Sequence, residues 1–298
     1  MLLDKELLAK IKRIQIKTDR LATEILVGEY QSAFKGKGLN FDAIREYSPG
    51  DDVRSIDWNV TARMIDPFVR QYKEERQLSI VLMVDLSASN NFGTVDKNKK
   101  DIAIELGSVL ASLAIKNNDR VGLITFTDEI EHYIPPKQGK AHVFRIIRDL
   151  MTFKPKSKKT NFKNVLSNAM RMVPRNSVVF LISDFMAEGK ETFEEFERDL
   201  KIFRKAQDLV ALSVRDPREF KLPNIGYIEA INPETGHKEL LNLNKKSTRA
   251  HFNRVQDRYF NDLRDKFKRL GVDVVDIKTH KSYVPQLLTL FMGRERRN

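Results

Sequence analysis

Apolar and polar positions along this chain follow two periods that take turns. LSIVLMVD (Leu78–Asp85), RVGLITF (Arg120–Phe126), SVVFLISD (Ser177–Asp184), LVALSV (Leu209–Val214) and VDVVDI (Val272–Ile277) are short, nearly continuous apolar runs rich in β-branched residues. Such runs predict strands buried on both faces. EIEHYI (Glu129–Ile134) is expected to pair with Arg120–Phe126 through the Thr127-Asp128 turn. Between the runs the spacing becomes helical. Ile102, Leu106, Val109, Leu110 and Leu113 share one side, and further helices are expected around Ala141–Met151, Asn161–Met172 and Thr192–Phe203. A hairpin is expected across Gly226–Leu243, then a long helix marked by Phe252, Val255, Tyr259, Leu263 and Phe267, and a closing helix over Val284–Phe291. Strands separated by helices of this length predict an α/β fold with a mostly parallel sheet covered on both faces.

The first part of the chain reads differently. Leu3, Leu7, Ile11, Ile14, Leu21 and Ile25 predict one amphipathic helix from about Leu3 to Val27, docked on its own protein. From Gly28 to Gln77 short extended runs alternate with turn chemistry such as Ser48-Pro49-Gly50-Asp51, which predicts strands and loops packed on the sheet domain. Arg45, Asp51, Asp52, Arg54, Asp57 and Arg63 lie here, as an internal ion-pair network or as a partner surface, and Trp58 is expected to be a packing anchor.

Composition changes this picture only at the margins. The formal charge of +12 suits an anionic partner, but the basic residues are dispersed, with short clusters at Lys154–Lys159 and at Arg294, Arg296 and Arg297. No run approaches the about 20 apolar residues of a membrane-spanning helix, and charges interrupt the leucines of the start too often for a signal-peptide core. With no cysteine in the chain, a cytoplasmic location is expected.

Candidate chemistry gathers where strands end. In open α/β sheets ligands sit beyond the carboxyl ends of the strands, near the point where strand order reverses. Asp85-Leu86-Ser87-Ala88-Ser89 follows the first buried run directly, and the alternate residues Asp85, Ser87 and Ser89 can turn their oxygens toward one point. Asp184 closes a second buried run, and Thr160 precedes the Asn161–Met172 helix. Two carboxylates and three hydroxyls, without nitrogen or sulfur, form the hard-oxygen set preferred by Mg²⁺, with Mn²⁺ or Ca²⁺ as alternatives.

These five residues, in this order, resemble the metal-ion-dependent adhesion site of von Willebrand factor A-type domains. The resemblance implies that Ser87, Ser89 and Thr160 ligate the ion while Asp85 and Asp184 act directly or through water. The family often has glycine after the last aspartate, whereas Phe185 stands here, so the local turn is expected to differ from one requiring glycine. A second resemblance covers nearly the whole chain. FKGKGLNFDAIREYSPGDDVRSIDWNVTAR (Phe34–Arg63), followed by a strand and Asp85-x-Ser87-x-Ser89, is similar to the bacterial domain-of-unknown-function family 58. It implies a helix and β-rich segment over residues 1–77, and a von Willebrand A-like domain over 78–298 with a hairpin insertion near 216–244. It also implies association with a MoxR-type AAA+ ATPase.

Catalytic templates fail at the sequence level. The histidines (His132, His142, His237, His251, His280) lack metal-ligand spacing, and Gly36-Lys37-Gly38 lacks the rest of a phosphate-binding loop. No general base stands beside an activated nucleophile. The expectation is a non-catalytic, metal-dependent adaptor or chaperone accessory that binds a partner protein offering an Asp or Glu. A metal-dependent phosphoester hydrolase and a nucleic-acid or anionic-surface binder are the alternatives.

Overall fold

The computed structural model describes residues 5–22, 26–35, 43–50, 53, 56, 58–63, 66–71, 77–94, 97–186, 193–231 and 236–297. Its centre is a six-stranded sheet built from β3 (Ser79–Asp85), β4 (Arg120–Phe126), β5 (Ile130–Lys137), β6 (Val178–Ser183), β7 (Asp208–Arg215) and β10 (Asp273–Lys278). The order is β10-β7-β6-β3-β4-β5, parallel throughout except for β5, which returns antiparallel along β4. Two small antiparallel pairs accompany it, β1 (Ala43–Glu46) with β2 (Phe68–Gln71) and β8 (Tyr227–Ile231) with β9 (Lys238–Asn242). The α/β, mostly parallel and doubly wound architecture expected from the sequence is the one observed.

Alternation along the strands divides the core in two. Ile80, Leu82, Val84, Phe180, Ile182, Val210 and Leu212 point to one face, against α1 (Lys5–Leu21), α2 (Val27–Lys35), α4 (Lys99–Lys116), α5 (Lys140–Thr152) and α9 (Val284–Glu295). Val81, Met83, Val179, Leu181, Leu209 and Ala211 point to the other, against α6 (Phe162–Met172), α7 (Phe193–Ala206) and α8 (Lys246–Arg269). A strand buried on both sides gains nothing from polar residues on either, which is why these runs are continuously apolar. Helix α4 lies deepest. Asn98 caps it by accepting from the Asp101 N–H while the Asp101 carboxylate accepts from the Asn98 N–H, an arrangement that stabilises a helix start by about 1 kcal/mol.

At the sheet's edge, β4 and β5 come unusually close. A Cβ on Gly122 would stand 2.8 Å from the Ile134 carbonyl oxygen and 2.9 Å from the Pro136 nitrogen, so only glycine fits beside this irregularity in register. Pro135 and Pro136 follow one another within β5.

Two expectations need correction in the first part of the chain. Beyond the expected helix, of which Lys5–Leu21 is α-helical and Ala22 and Leu26 are also helical, α2 occupies Val27–Lys35, where strands and loops were expected. Tyr30, Ala33 and Phe34 are helically spaced and pack into the core beside Phe291. Burial of that face outweighs the about 1 kcal/mol that Gly28 costs a helix. Trp58 is not a packing anchor: it is 66% exposed on the one-turn helix α3 (Trp58–Thr61), whose Val60 and Thr61 are the half-buried members. Of the supposed ion-pair network, Arg63 is exposed, only the backbone of Arg45 is described, and Asp51, Asp52, Arg54 and Asp57 lie outside the described residues. No helix among the described residues is long and apolar enough to cross a membrane.

Candidate functional site

Strand order reverses direction at β3: the chain next builds β4 on one side, then crosses to lay β6 on the other. The helix after β3, α4, covers one face, while the helix after β6, α7, covers the opposite face. The carboxyl ends of β3 and β6 therefore diverge from their connections and leave a crevice between them. Asp85 is the last residue of β3, and Asp184 follows the last residue of β6. Register pairs Val84 with Ile182, which brings the two carboxylates onto neighbouring strand ends.

All five candidate side chains are buried or nearly so: Asp85, Ser87, Ser89, Thr160 and Asp184. Asp85 is fixed by the Ser87 N–H, which donates to Oδ1 at 2.9 Å, and by the Ser183 hydroxyl, which donates to Oδ2 at 2.6 Å. The Ser87 and Ser89 hydroxyls stand 3.1 Å apart. The Ala88 N–H donates to the Lys158 carbonyl at 3.0 Å, tying this loop to the segment that carries Thr160. The Thr160 hydroxyl is buried without a hydrogen-bond partner. Leaving a hydroxyl so costs about 1–3 kcal/mol unless something else satisfies it.

Asp184 accepts from the Met186 N–H at 3.0 Å on Oδ1 and from the Lys99 ammonium at 2.6 Å on Oδ2. Lys99 is the first residue of α4 and its side chain is 1% exposed. It also donates to Glu219 Oε1, on the short turn Pro217–Glu219 that leaves β7. Sequence reading misses both residues. A lysine beside Lys97 and Lys100 looks like part of a solvated helix start, and its partners lie 85 and 120 positions away.

The electrostatics follow from burial. Desolvation, followed by the neighbouring charge of Asp184, pushes the Asp85 carboxyl up to about 6, against the hydrogen bonds from Ser183 and Ser87. Burial disfavours the Lys99 ammonium, but Asp184 and Glu219 outweigh it and hold its pKa above the ordinary lysine value. Burial raises Glu219, with Lys99 opposing and Asp184 adding. Asp216, at the start of the same turn, is held more fully. It accepts from the Thr94 N–H at 2.9 Å, the Thr94 hydroxyl at 2.6 Å, the Arg218 N–H at 2.9 Å and the Thr279 hydroxyl at 3.3 Å.

The turn after Asp184 also corrects an expectation. Phe185 has φ +53°, the left-handed backbone that a glycine would adopt there, so the conformation is kept although the residue type is not. Holding a non-glycine residue in that region costs about 1–2 kcal/mol. Packing compensates: the Phe185 ring stacks on Phe162 at 5.7 Å and meets Phe267 edge-on at 5.2 Å, while the Tyr259 hydroxyl donates to the Phe185 carbonyl at 2.7 Å.

Chemically, the arrangement offers oxygen and little else. Among the described residues no group of three or more histidine, aspartate or glutamate side chains is placed to share an ion. A cation at this crest therefore has to draw on hydroxyls as well as carboxylates. The donor set fits a hard divalent ion: the serine pair and an orphaned threonine hydroxyl supply neutral oxygens, and each carboxylate retains lone pairs.

Fold and site together define a doubly wound α/β protein with an oxygen-lined crest at its topological switch point. The chain belongs to the family described as protein of unknown function DUF58, whose model matches residues 43–259. It is similar to the uncharacterized protein Rv1480 of Mycobacterium tuberculosis, 25% identical over 295 residues, spanning 98% of this chain and 91% of that one. Among solved structures it is similar to the conserved hypothetical protein BatB from Bacteroides thetaiotaomicron, with TM-score 0.46 and 16% identity over 74% of this chain and 100% of that chain. The SpRpn10 VWA domain is also similar, with TM-score 0.40 and 10% identity over 72% and 95% of the two chains.

Proposed function

We propose that this protein is a binding module that recognises a partner protein through a divalent cation held at the crest. The observation that carries the reading is the Thr160 hydroxyl, buried and without a partner, in a segment hydrogen-bonded to the loop of Ser87 and Ser89. Ser87, Ser89 and Thr160 would hold the ion directly, with Asp85 and Asp184 supplying the balancing charge directly or through water. Mg²⁺ suits the all-oxygen set, with Mn²⁺ or Ca²⁺ as alternatives. When bound, such an ion supplies an electrophilic position that an Asp or Glu of the partner can fill. A MoxR-type AAA+ ATPase or its client is the partner that the family resemblance implies, and a chain without cysteine suits the cytoplasm.

Manganese titration followed by electron paramagnetic resonance tests the ion site, and binding to a purified MoxR-type ATPase in Mg²⁺ or EDTA tests its use. The expected result is saturable Mn²⁺ binding that Asp85→Ala abolishes, with partner affinity lost in EDTA and in the variant alike. Equal partner binding by Asp85→Ala and the unaltered protein, with and without chelator, would sink the proposal.

A further inference from the structure

Lys99 is out of place by the usual rules. It occupies the first position of α4, where the helix dipole disfavours a positive charge, and its ammonium is almost completely removed from water. A lysine in that position needs anions nearby, and it has two of different origin. Asp184 belongs to the candidate ion site; Glu219 belongs to a turn outside it. The Phe92 ring, 5.8 Å from the ammonium, covers it further.

The two anions are not equally committed to Lys99. Glu219 uses its second oxygen to accept from the Asp216 N–H at 2.8 Å, closing a reciprocal cap with Asp216. Asp216 is in turn fixed by Thr94, Arg218 and Thr279. Glu219 is thus anchored whatever happens at the crest. Asp184 has its Oδ1 held by Met186, so Oδ2 is the oxygen turned to the ammonium. A divalent ion drawing on Asp184 meets a fixed positive charge already bound to the same carboxylate.

We infer that Lys99 is a tethered cation that competes with a divalent ion for Asp184 and so sets the affinity of the crest. This rests on the reading of the crest as an ion site. Loading the site leaves the ammonium on Glu219 alone, which is why a second, independently anchored carboxylate is built beside it. A monovalent ion carries no more charge than the ammonium it would have to displace, so the device also favours divalent ions over monovalent ones. It further ties occupancy of the crest to the Pro217–Glu219 turn, from which the chain proceeds to the β8–β9 hairpin.

Competition makes opposite predictions for the two partners of one ion pair. In Mn²⁺ titrations of the full chain, Lys99→Met tightens binding by about tenfold or more, because a repelling charge is removed. Glu219→Gln weakens it several-fold, because the ammonium then rests wholly on Asp184. A merely structural pair would have both variants weaken binding together, or neither change it, and either result overturns the inference. Should Lys99→Met fail to fold by circular dichroism, Glu219→Gln decides alone, and unchanged or tighter binding overturns it. Unaltered protein that takes no Mn²⁺ while Lys99→Met does supports the inference and counts against loading of the natural site. If both bind equally, only the competition falls. If neither binds, the competition and the ion site fall together.

Discussion

At the amino end of the central sheet, Arg294 donates to both oxygens of Asp208, at 2.6 and 2.9 Å, and to Asp273 at 2.7 Å, and Arg297 adds a further contact to Asp273 at 2.7 Å. Nearby, Asp119 accepts from the Leu78 N–H at 3.0 Å and from the Tyr30 hydroxyl at 3.2 Å. At the carboxyl end, three acids, Asp85, Asp184 and Glu219, stand with the single buried ammonium of Lys99, and a threonine hydroxyl is left over. Both ends bury charge, but they hold it differently. At the amino end two arginines answer Asp208 and Asp273 while neutral donors hold Asp119, and these contacts bind helices α2 and α9 to the sheet. At the crest itself three carboxylates stand with one ammonium, while beside it Asp216 is fully hydrogen-bonded and Arg215 pairs with Asp276 at 2.6 Å; such a local acid excess is expected where a group from outside completes the set.

The contrast predicts that substitutions at the two ends differ in kind. Arg294→Met is expected to be the most damaging, destabilising the fold by about 2–3 kcal/mol in denaturant titrations, because it leaves Asp208 without its base, leaves Asp273 to Arg297 alone and strips the cover from Phe34. A loss below about 0.5 kcal/mol would show that the amino-end network is ornamental and remove the distinction.

Asp216 is the part of the carboxyl end that resembles the amino end. Burial works against its charge, but hydrogen bonds from Thr94, Arg218 and Thr279 hold its pKa below the usual carboxylate range. Asp216→Asn should therefore cost about 2 kcal/mol near neutrality. The folded pKa is depressed, so this contribution is fully present above the unfolded value of about 4 and disappears as pH falls through the folded pKa. Denaturant midpoints of the two proteins, measured down the pH scale, should converge in acid. A constant gap would assign the loss to packing.

The smallest effect should come from Thr160→Val, measured in EDTA. Replacing an orphaned hydroxyl by a methyl is expected to leave stability unchanged or to raise it by up to about 1 kcal/mol. A clear loss would mean that the hydroxyl is already satisfied without an ion.

Much of this architecture is legible in the chain itself, for identifiable reasons. Strands buried on both faces announce themselves as apolar runs, so the sequence places β3, β6 and β7 within a residue or two. Asp85 and Asp184 stand out because each ends such a run. Helix α2 is hidden by its brevity and by Gly28, since nine residues show barely two turns of periodicity. Trp58 misleads because bulky apolar residues are usually buried, and one residue on a one-turn helix has no pattern to contradict that. Lys99 and Glu219 are unreadable for a deeper reason. Their meaning lies in an encounter between segments far apart in the chain, and a lysine among lysines carries no local sign of burial. Phe185 shows the converse, a residue type that argues against a backbone conformation which its surroundings nevertheless impose.

The adjacent prolines of β5 bear on how any partner can approach. Successive residues of a strand send their N–H groups to opposite sides, so Pro135 and Pro136 together remove one donor from each side of this border strand. A foreign chain laid alongside would find its ladder interrupted there, which discourages both self-association by this margin and recruitment by strand addition. Of the sheet's two borders, it is thus the one formed by β5 that resists extension by a further strand.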